Sequence, residues 1–152
     1  MLAEPLIVIR AAHPGMSFRT RAVVEAILLS EGSIGSARAV ARSLGLRNRF
    51  ELARLLRREG LPPLHRLAAW ATILSWVSAA ERDGLSLCHQ AFRSERYPGA
   101  CYRLVKEVTQ LRWGEVRALG SAWVVRQLLE EFSCSHREVE SLQGRAGPLE
   151  SC

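Results

Sequence analysis

The sequence predicts an all-α protein in which two similar helical units are joined by a long central helix. Three observations predict this fold class. Apolar residues recur at helical spacing from Ser17 to Phe132. A short helix followed by an amphipathic helix occurs twice, about 50 residues apart, and the most apolar segment, Leu67–Ala80, lies between the two copies. Strand patterns are sparse, and only Leu6–Ile9 reads as a strand.

Glycine and proline breaks divide the chain into five predicted segments. Residues 1–16 are an N-terminal extension, 17–62 the first unit, 63–84 the central helix, 85–132 the second unit and 133–152 a tail. The tail is rich in Ser, Gly and Glu, a composition that predicts flexibility.

Three helices with polar N-caps make up the first unit. The caps are Ser17, Ser36 and Asn48, and the helices end near Ser30, Gly45 and Gly60. In the third helix Leu52, Leu55 and Leu56 fall on one stripe, which predicts that they are buried and that the arginines between them face solvent.

The central helix opens at Pro63, because proline is tolerated at a helix start, and closes at Gly84. It is apolar over more than half its circumference, which predicts packing against both units. The second unit then repeats the pattern with helices over Ser86–Phe92 and Pro98–Gln110, and a last helix over Gly114–Phe132. The four tryptophans are expected in the core; they are Trp70, Trp76, Trp113 and Trp123.

The repeat places basic residues at equivalent outward positions. Its buried stripes align Leu52 with Cys101, Leu55 with Leu104 and Leu56 with Val105. The same register pairs Arg54 with Arg103 and Arg57 with Lys106. Two short helices joined by a tight turn indicate a helix-turn-helix unit. In such units the second helix enters the major groove of DNA and the first crosses the backbone.

The charge distribution also favours DNA as the partner. The net charge is +6, from 21 Lys and Arg against 15 Asp and Glu. All but one of the basic residues are Arg, the exception being Lys106. The guanidinium fork suits phosphate oxygens and guanine edges, although a GC-rich genome also raises the arginine content.

Candidate DNA contacts lie on the two amphipathic helices and at the turns before them. In the first unit they are Ser36, Arg47, Asn48, Arg49, Ala53, Arg54, Arg57 and Arg58; in the second they are Arg96, Gly99, Tyr102, Arg103 and Lys106. Residues near the start of each helix can read bases, because Arg bonds guanine, Asn bonds adenine and Ala touches the thymine methyl. Gly99 offers no side chain, so the second helix is expected to read less sequence. Residues further along each helix are expected to contact phosphate.

The sequence gives little support to other classes of function. The four cysteines lack a C-x-x-C spacing, which argues against zinc; they are Cys88, Cys101, Cys134 and Cys152, of which the first two are expected to be buried and apolar. The histidines are scattered, and neither an enzyme nor a cofactor is expected; they are His13, His65, His89 and His136. Since no run of 18 apolar residues and no signal-peptide pattern occurs, the chain is expected to be cytoplasmic with no membrane partner.

In the two helix-turn-helix units the sequence resembles the DNA-binding domain of the AraC/XylS family of bacterial transcription regulators. The likeness is carried by V-A-R-S-L-G-L at 40–46, L-A-R-L-L-R at 52–57 and G-L-P-P at 60–63. The family pattern there is V-A, three residues, G-F, then an aromatic-x-R-x-F-K segment and G-x-x-P. In the second unit Ala91, residues 102–106 and residues 113–116 fit. Glu95 (or Ser94) and Gln110 replace the two family glycines.

The resemblance spans about residues 17–117 and implies a homeodomain-like, AraC-type arrangement. Two recognition helices, about 48–59 and 98–109, would enter successive major-groove segments roughly 34 Å apart, with the protein bound as a monomer or weak dimer. RNA polymerase is a further expected partner. Two alternatives remain: a helical module that contacts RNA polymerase or another regulator, and a non-specific architectural DNA binder.

Overall fold

The computed structural model describes residues 3–144, and the side chains of residues 4–132. This part of the chain is all-helical, which confirms the predicted all-α fold class. Its helices are α1 (Ala3–Ala12), α2 (Phe18–Leu29), α3 (Ala37–Ser43), α4 (Arg49–Arg58), α5 (Leu64–Asp83), α6 (Leu87–Arg93), α7 (Pro98–Thr109), α8 (Trp113–Leu119) and α9 (Ser121–Gly144).

Polar side chains cap the helices where the sequence predicts them. The hydroxyls of Ser17, Ser36 and Ser86 each accept a hydrogen bond from the backbone N–H three residues later, at 3.1–3.3 Å. The Asn48 Oδ1 accepts the backbone amides of Phe50 and Glu51, both at 3.0 Å. These bonds satisfy N–H groups that a helix leaves without an intrahelical partner.

The N-terminal segment differs from expectation, because Leu6–Ile9 lies inside α1 and the strand prediction is wrong. Ile9 is buried in the core beside α2, and the Arg10 Nε donates to the Glu25 carboxylate at 2.7 Å. Pro5 occupies the first turn, where a missing N–H costs no helix bond. Tertiary burial of the apolar side therefore outweighs the weak helix preference of its β-branched residues.

The last predicted helix is instead two helices, separated at Gly120, whose φ is 89°. The Glu81 carboxylate accepts the Ser121 backbone N–H at 2.7 Å and the Ser121 hydroxyl at 2.6 Å, which caps the start of α9. α9 does not end at Phe132 but continues through Gly144. The backbone of 133–144 is thus helical where a flexible tail was expected, and residues 145–152 lie outside the described part.

The central helix α5 packs against α2 on one side and against α7, α8 and α9 on the other. Its buried residues lie around most of its circumference, as the sequence predicts: Leu67, Trp70, Ala71, Thr72, Ile73, Leu74, Trp76, Val77 and Ala80. Trp113 is also buried, whereas Trp123 is half-buried against the core. None of the described helices is long and apolar enough to cross a membrane.

An arginine on α5 ties the second half of the chain together. The Arg66 guanidinium donates to both oxygens of Glu131 on α9, with Nε distances of 3.0 and 3.1 Å. Its terminal nitrogen also donates to the Val108 carbonyl at the end of α7, at 3.3 Å. The hydrogen bond from Glu131 raises the pKa of the Arg66 guanidinium, so Arg66 remains a cation in the folded chain.

Candidate nucleic-acid interface

The two helix pairs, α3 with α4 and α6 with α7, are joined by turns of the same geometry. In the first turn the amides of Gly45 and Leu46 donate to the carbonyls of Arg42 and Ala41 at 3.1 and 2.9 Å. In the second the amides of Glu95 and Arg96 donate to the carbonyls of Phe92 and Ala91 at 3.2 and 2.8 Å. Ala41 and Ala91 are both fully buried, so each turn is anchored by a small apolar residue.

Two non-glycine residues hold the left-handed conformation that glycine supplies in the first unit. Gly45 and Gly60 have φ values of 72° and 73°, and their counterparts Glu95 and Gln110 have φ values of 54° and 62°. Ser94 has a φ of −99°, so the turn position belongs to Glu95. The second unit keeps the geometry of the first at a cost of about 1–2 kcal/mol for each left-handed side chain.

The predicted contact residues all reach the surface. Every one of them is exposed except Gly99, which is half-buried. On the opposite sides of the same helices, Leu52, Leu55 and Leu56 are buried in α4, and Cys101, Val105 and Val108 are buried in α7, with Leu104 half-buried. The division into a buried apolar stripe and an exposed basic face is therefore confirmed for both helices.

Phe50 is an exposed residue of this face that the sequence prediction missed. At 100° per residue it lies directly opposite the buried leucines of α4, between Arg57 and Arg54. It is 60% exposed, and the Arg49 guanidinium carbon lies 5.0 Å from the centre of its ring. A helical wheel of α4 contains the signal, since an aromatic residue amid arginines on the outward side does not fit a core role.

The face of α7 carries its aromatic residues differently. Tyr102, 42% exposed, takes the position that Ala53 has on α4, while Gly99 takes that of Phe50. The Tyr97 ring covers Gly99, since a Cβ added there would lie 2.8 Å from the Tyr97 Cε1. The start of α7 therefore presents an aromatic surface even though Gly99 has no side chain.

Besides Ser36, whose hydroxyl caps α3, three predicted contacts already have hydrogen-bond partners within the chain. The Asn48 Oδ1 is occupied by its two cap bonds, so only its amide N–H groups are free to meet a ligand. The Arg47 backbone N–H donates to the Glu51 carboxylate at 2.8 Å, and this carboxylate also partly offsets the Arg47 charge. The Lys106 ammonium donates to the Gln110 carbonyl at 2.9 Å, a bond at the surface that a phosphate can replace.

A groove of about 1210 Å³ brings contacts from the two units together. It lies between the loop after α2, one flank of α4, the start of α5 and the turn before α7. Arg49, Ala53 and Arg57 line it from the first unit and Arg96 from the second. The other predicted contacts do not line it. The Arg96 guanidinium is held 5.8 Å from the centre of the Trp76 ring.

The thiols and imidazoles of the described residues do not come together as a metal centre. Within that part of the chain, no three His, Cys, Asp or Glu side chains are grouped so that they could hold a metal ion. Cys101 is buried, as predicted, and burial raises the pKa of its thiol. Cys88 is only half-buried. The side chains of Cys134, Cys152 and His136 lie outside the described residues.

The exposed faces of α4 and α7 thus combine guanidinium groups with aromatic rings. Exposed guanidinium groups attract phosphate, and the affinity that they give falls as the salt concentration rises. Aromatic rings can contact base edges or sugars. The chain matches no known protein family, no curated protein and no solved structure in comparisons with each. Its function is therefore inferred from this surface.

Proposed function

We propose that the chain is a sequence-specific DNA-binding transcription regulator that places α4 and α7 in successive segments of the major groove. The observation that carries the proposal is the repeated turn, with the same two hydrogen bonds in both helix pairs. It sets Arg54 with Arg103, and Arg57 with Lys106, at equivalent exposed positions. A module that binds only proteins has no need of cations repeated in register, whereas the phosphates of a duplex recur in register.

In this proposal the two helices share the work of binding and reading. The paired cations contact phosphates, which fixes each helix against the backbone. Arg49, Phe50 and Ala53 near the start of α4 are placed to meet base edges, and Tyr102 has that role on α7. The exposed arginines Arg38 and Arg42 on α3 would contact the backbone that the first helix of each pair crosses.

The same features support membership of the AraC/XylS family as a proposal. The family pattern has glycine at the turn of each helix pair and again after each recognition helix. Here Gly45 and Gly60 fill those places in the first unit, and Glu95 and Gln110 adopt the same left-handed conformation in the second. The replacements therefore leave the backbone geometry that the pattern requires.

The proposal is tested by selection from a random-sequence duplex library at about 150 mM salt, where non-specific phosphate binding is weakened. We expect enrichment of two half-sites about ten base pairs apart. A single half-site would limit base reading to one helix. Strong binding at low salt without enrichment would replace the proposal with an architectural role, and no binding at any salt would replace it with the protein-interaction module.

A further inference from the structure

The groove beside α4 has a chemical character that DNA binding alone does not explain. Its walls include apolar side chains that are at least partly accessible, namely Ile34, Phe50, Leu64 and Ala68. Its edge carries three guanidinium groups, those of Arg49, Arg57 and Arg96. Its volume is about 1210 Å³, and sites for small organic ligands typically measure roughly 300–1,000 Å³. The groove is therefore large enough to hold such a ligand.

The cations of the groove have no carboxylate to neutralise them. Among the described residues that line it there is no Asp or Glu. Arg49, Arg57 and Arg96 form no ion pair with the described part of the chain, unlike Arg66 with Glu131. Arg49 and Arg96 are instead held against the Phe50 and Trp76 rings, which leaves guanidinium N–H groups for an incoming anion.

We propose that this groove binds a small amphipathic carboxylate and that the bound ligand excludes DNA. The apolar body of the ligand lies along Ile34, Phe50 and Leu64, where it removes their surface from water. Its carboxylate accepts hydrogen bonds from Arg57 and a neighbouring guanidinium, because the fork of Arg matches a carboxylate with two parallel bonds. An inorganic anion would neutralise the arginines but would leave the apolar walls exposed to water.

Competition with DNA follows from shared residues, and this part rests on the proposed function. Arg49, Ala53 and Arg57 line the groove and are also proposed DNA contacts. A carboxylate on these cations removes charge from the face that meets phosphate, and the ligand body fills space beside the start of α4. The ligand would therefore act as a release signal for the regulator.

Ligand binding is tested first, without DNA, by calorimetric titration of the full chain with decanoate and, as a neutral probe of the same length, decanol. We expect saturable binding of decanoate and at least tenfold weaker binding of decanol. Arg57→Ala should weaken decanoate binding about tenfold, whereas Arg58→Ala, an adjacent exposed position outside the groove, should not. Equal binding by the two variants, or none by the wild type, would overturn the ligand site.

A second pair of variants tests the apolar walls. Ile34→Glu places a carboxylate in the groove, and Leu29→Glu makes the same charge change at a 62% exposed position outside it. Only Ile34→Glu should abolish decanoate binding, with thermal unfolding used to confirm that both variants are folded. Retention of binding by a folded Ile34→Glu protein would refute the placement of the ligand body.

DNA competition is measured last, on the duplex enriched by selection. With decanoate at ten times its own Kd, the apparent Kd for DNA should rise about elevenfold if binding is mutually exclusive. Decanoate binding with an unchanged affinity for DNA would overturn the release mechanism. If decanoate binds and no duplex does, the ligand site stands and the DNA-binding function fails, so the two proposals fail separately.

Discussion

Replacement of Gly32 by alanine tests how the first unit is seated on the central helix. Gly32 has a φ of 83° and lies in the loop after α2, against α5. A Cβ added there would lie 2.1 Å from the Thr72 Oγ1, 2.4 Å from the Ala68 carbonyl oxygen and 2.9 Å from the Thr72 nitrogen. Two of these three atoms belong to the helix backbone, so a rotation of the Thr72 side chain cannot relieve the overlap.

The expected loss can be worked from these contacts. A side chain in the left-handed region costs about 1–2 kcal/mol, and overpacking of a closed contact costs about 1–3 kcal/mol more. Gly32→Ala should therefore lower the free energy of unfolding by about 2–5 kcal/mol, measured by urea denaturation. It should also weaken decanoate binding, because Gly32 lines the groove.

Gly35→Ala, three residues along the same loop, is the matched control. A Cβ at Gly35 would meet only the Ala39 Cβ, at 3.9 Å, and Gly35 is not among the residues with positive φ. This variant should change stability by less than about 1 kcal/mol. A loss below about 1 kcal/mol for Gly32→Ala, or equal losses for the two variants, would show that the loop does not depend on this close approach.

Three further predictions follow from the second unit. Glu95→Gly should raise the free energy of unfolding by about 0.5–1 kcal/mol, since it relieves a side chain in the left-handed conformation. Glu107→Gly, in regular helix, should lower the free energy of unfolding by about 1 kcal/mol. A lower free energy of unfolding in both variants would contradict the strain assigned to Glu95. Arg54→Ala and Arg103→Ala should each weaken DNA binding while Arg126→Ala on α9 does not, and an equal loss on all sequences, measured by titration, would mark a phosphate contact. Because folding keeps the Cys101 thiol protonated, the stability it contributes is complete below pH 9.0 and falls as the pH rises towards the folded pKa; the unfolding free energies of wild type and Cys101→Val should diverge only in alkali, and a constant difference would refute this.

The helices of the two repeated units could be predicted because their signals are local. Ser36, Asn48 and Ser86 cap helices through bonds to residues two or three positions away, and Gly45 ends a helix by its own conformational freedom. Such signals survive in one sequence without knowledge of the fold. The buried stripes of α4 and α7 followed from the same periodicity.

The N- and C-terminal helices could not be predicted in the same way, because distant contacts decide them. Ile9 is helical because it is buried beside α2, and its own β-branched neighbours favour a strand. The new helix start at Ser121 is capped by the carboxylate of Glu81, which lies 40 residues earlier in the chain. A glycine followed by serine at this point was the one local sign of a helix boundary.

The candidate site was predicted as two separate faces, and the groove between them was not foreseen. Arg96 belongs to the second unit, yet it shares the groove with Arg49 and Arg57 from the first. Its position depends on how both units dock on α5, and its guanidinium is fixed by Trp76 of that helix. Spacing within one sequence places residues on a helix face, but it does not give the distance between two faces that meet through a third element.

The two proposed recognition helices share their cations but differ in the residues placed to meet bases. Arg54 with Arg103 and Arg57 with Lys106 are equivalent, which favours the same seating on phosphate for both helices. At two of the reading positions α4 presents Phe50 and Ala53, where α7 presents Gly99 and Tyr102. Different side chains at equivalent positions should read different bases, since each base edge selects its own partner.

The operator should therefore contain two unlike half-sites in a fixed order, and one chain should occupy it. We expect library selection to return an asymmetric motif. Exchange of the reading residues in α4, through Phe50→Gly with Ala53→Tyr, should shift the first half-site towards the second and leave the second unchanged. Two identical half-sites from the wild-type protein would mean that the residues common to both helices set the sequence preference, and the roles given to Phe50 and Tyr102 would be wrong.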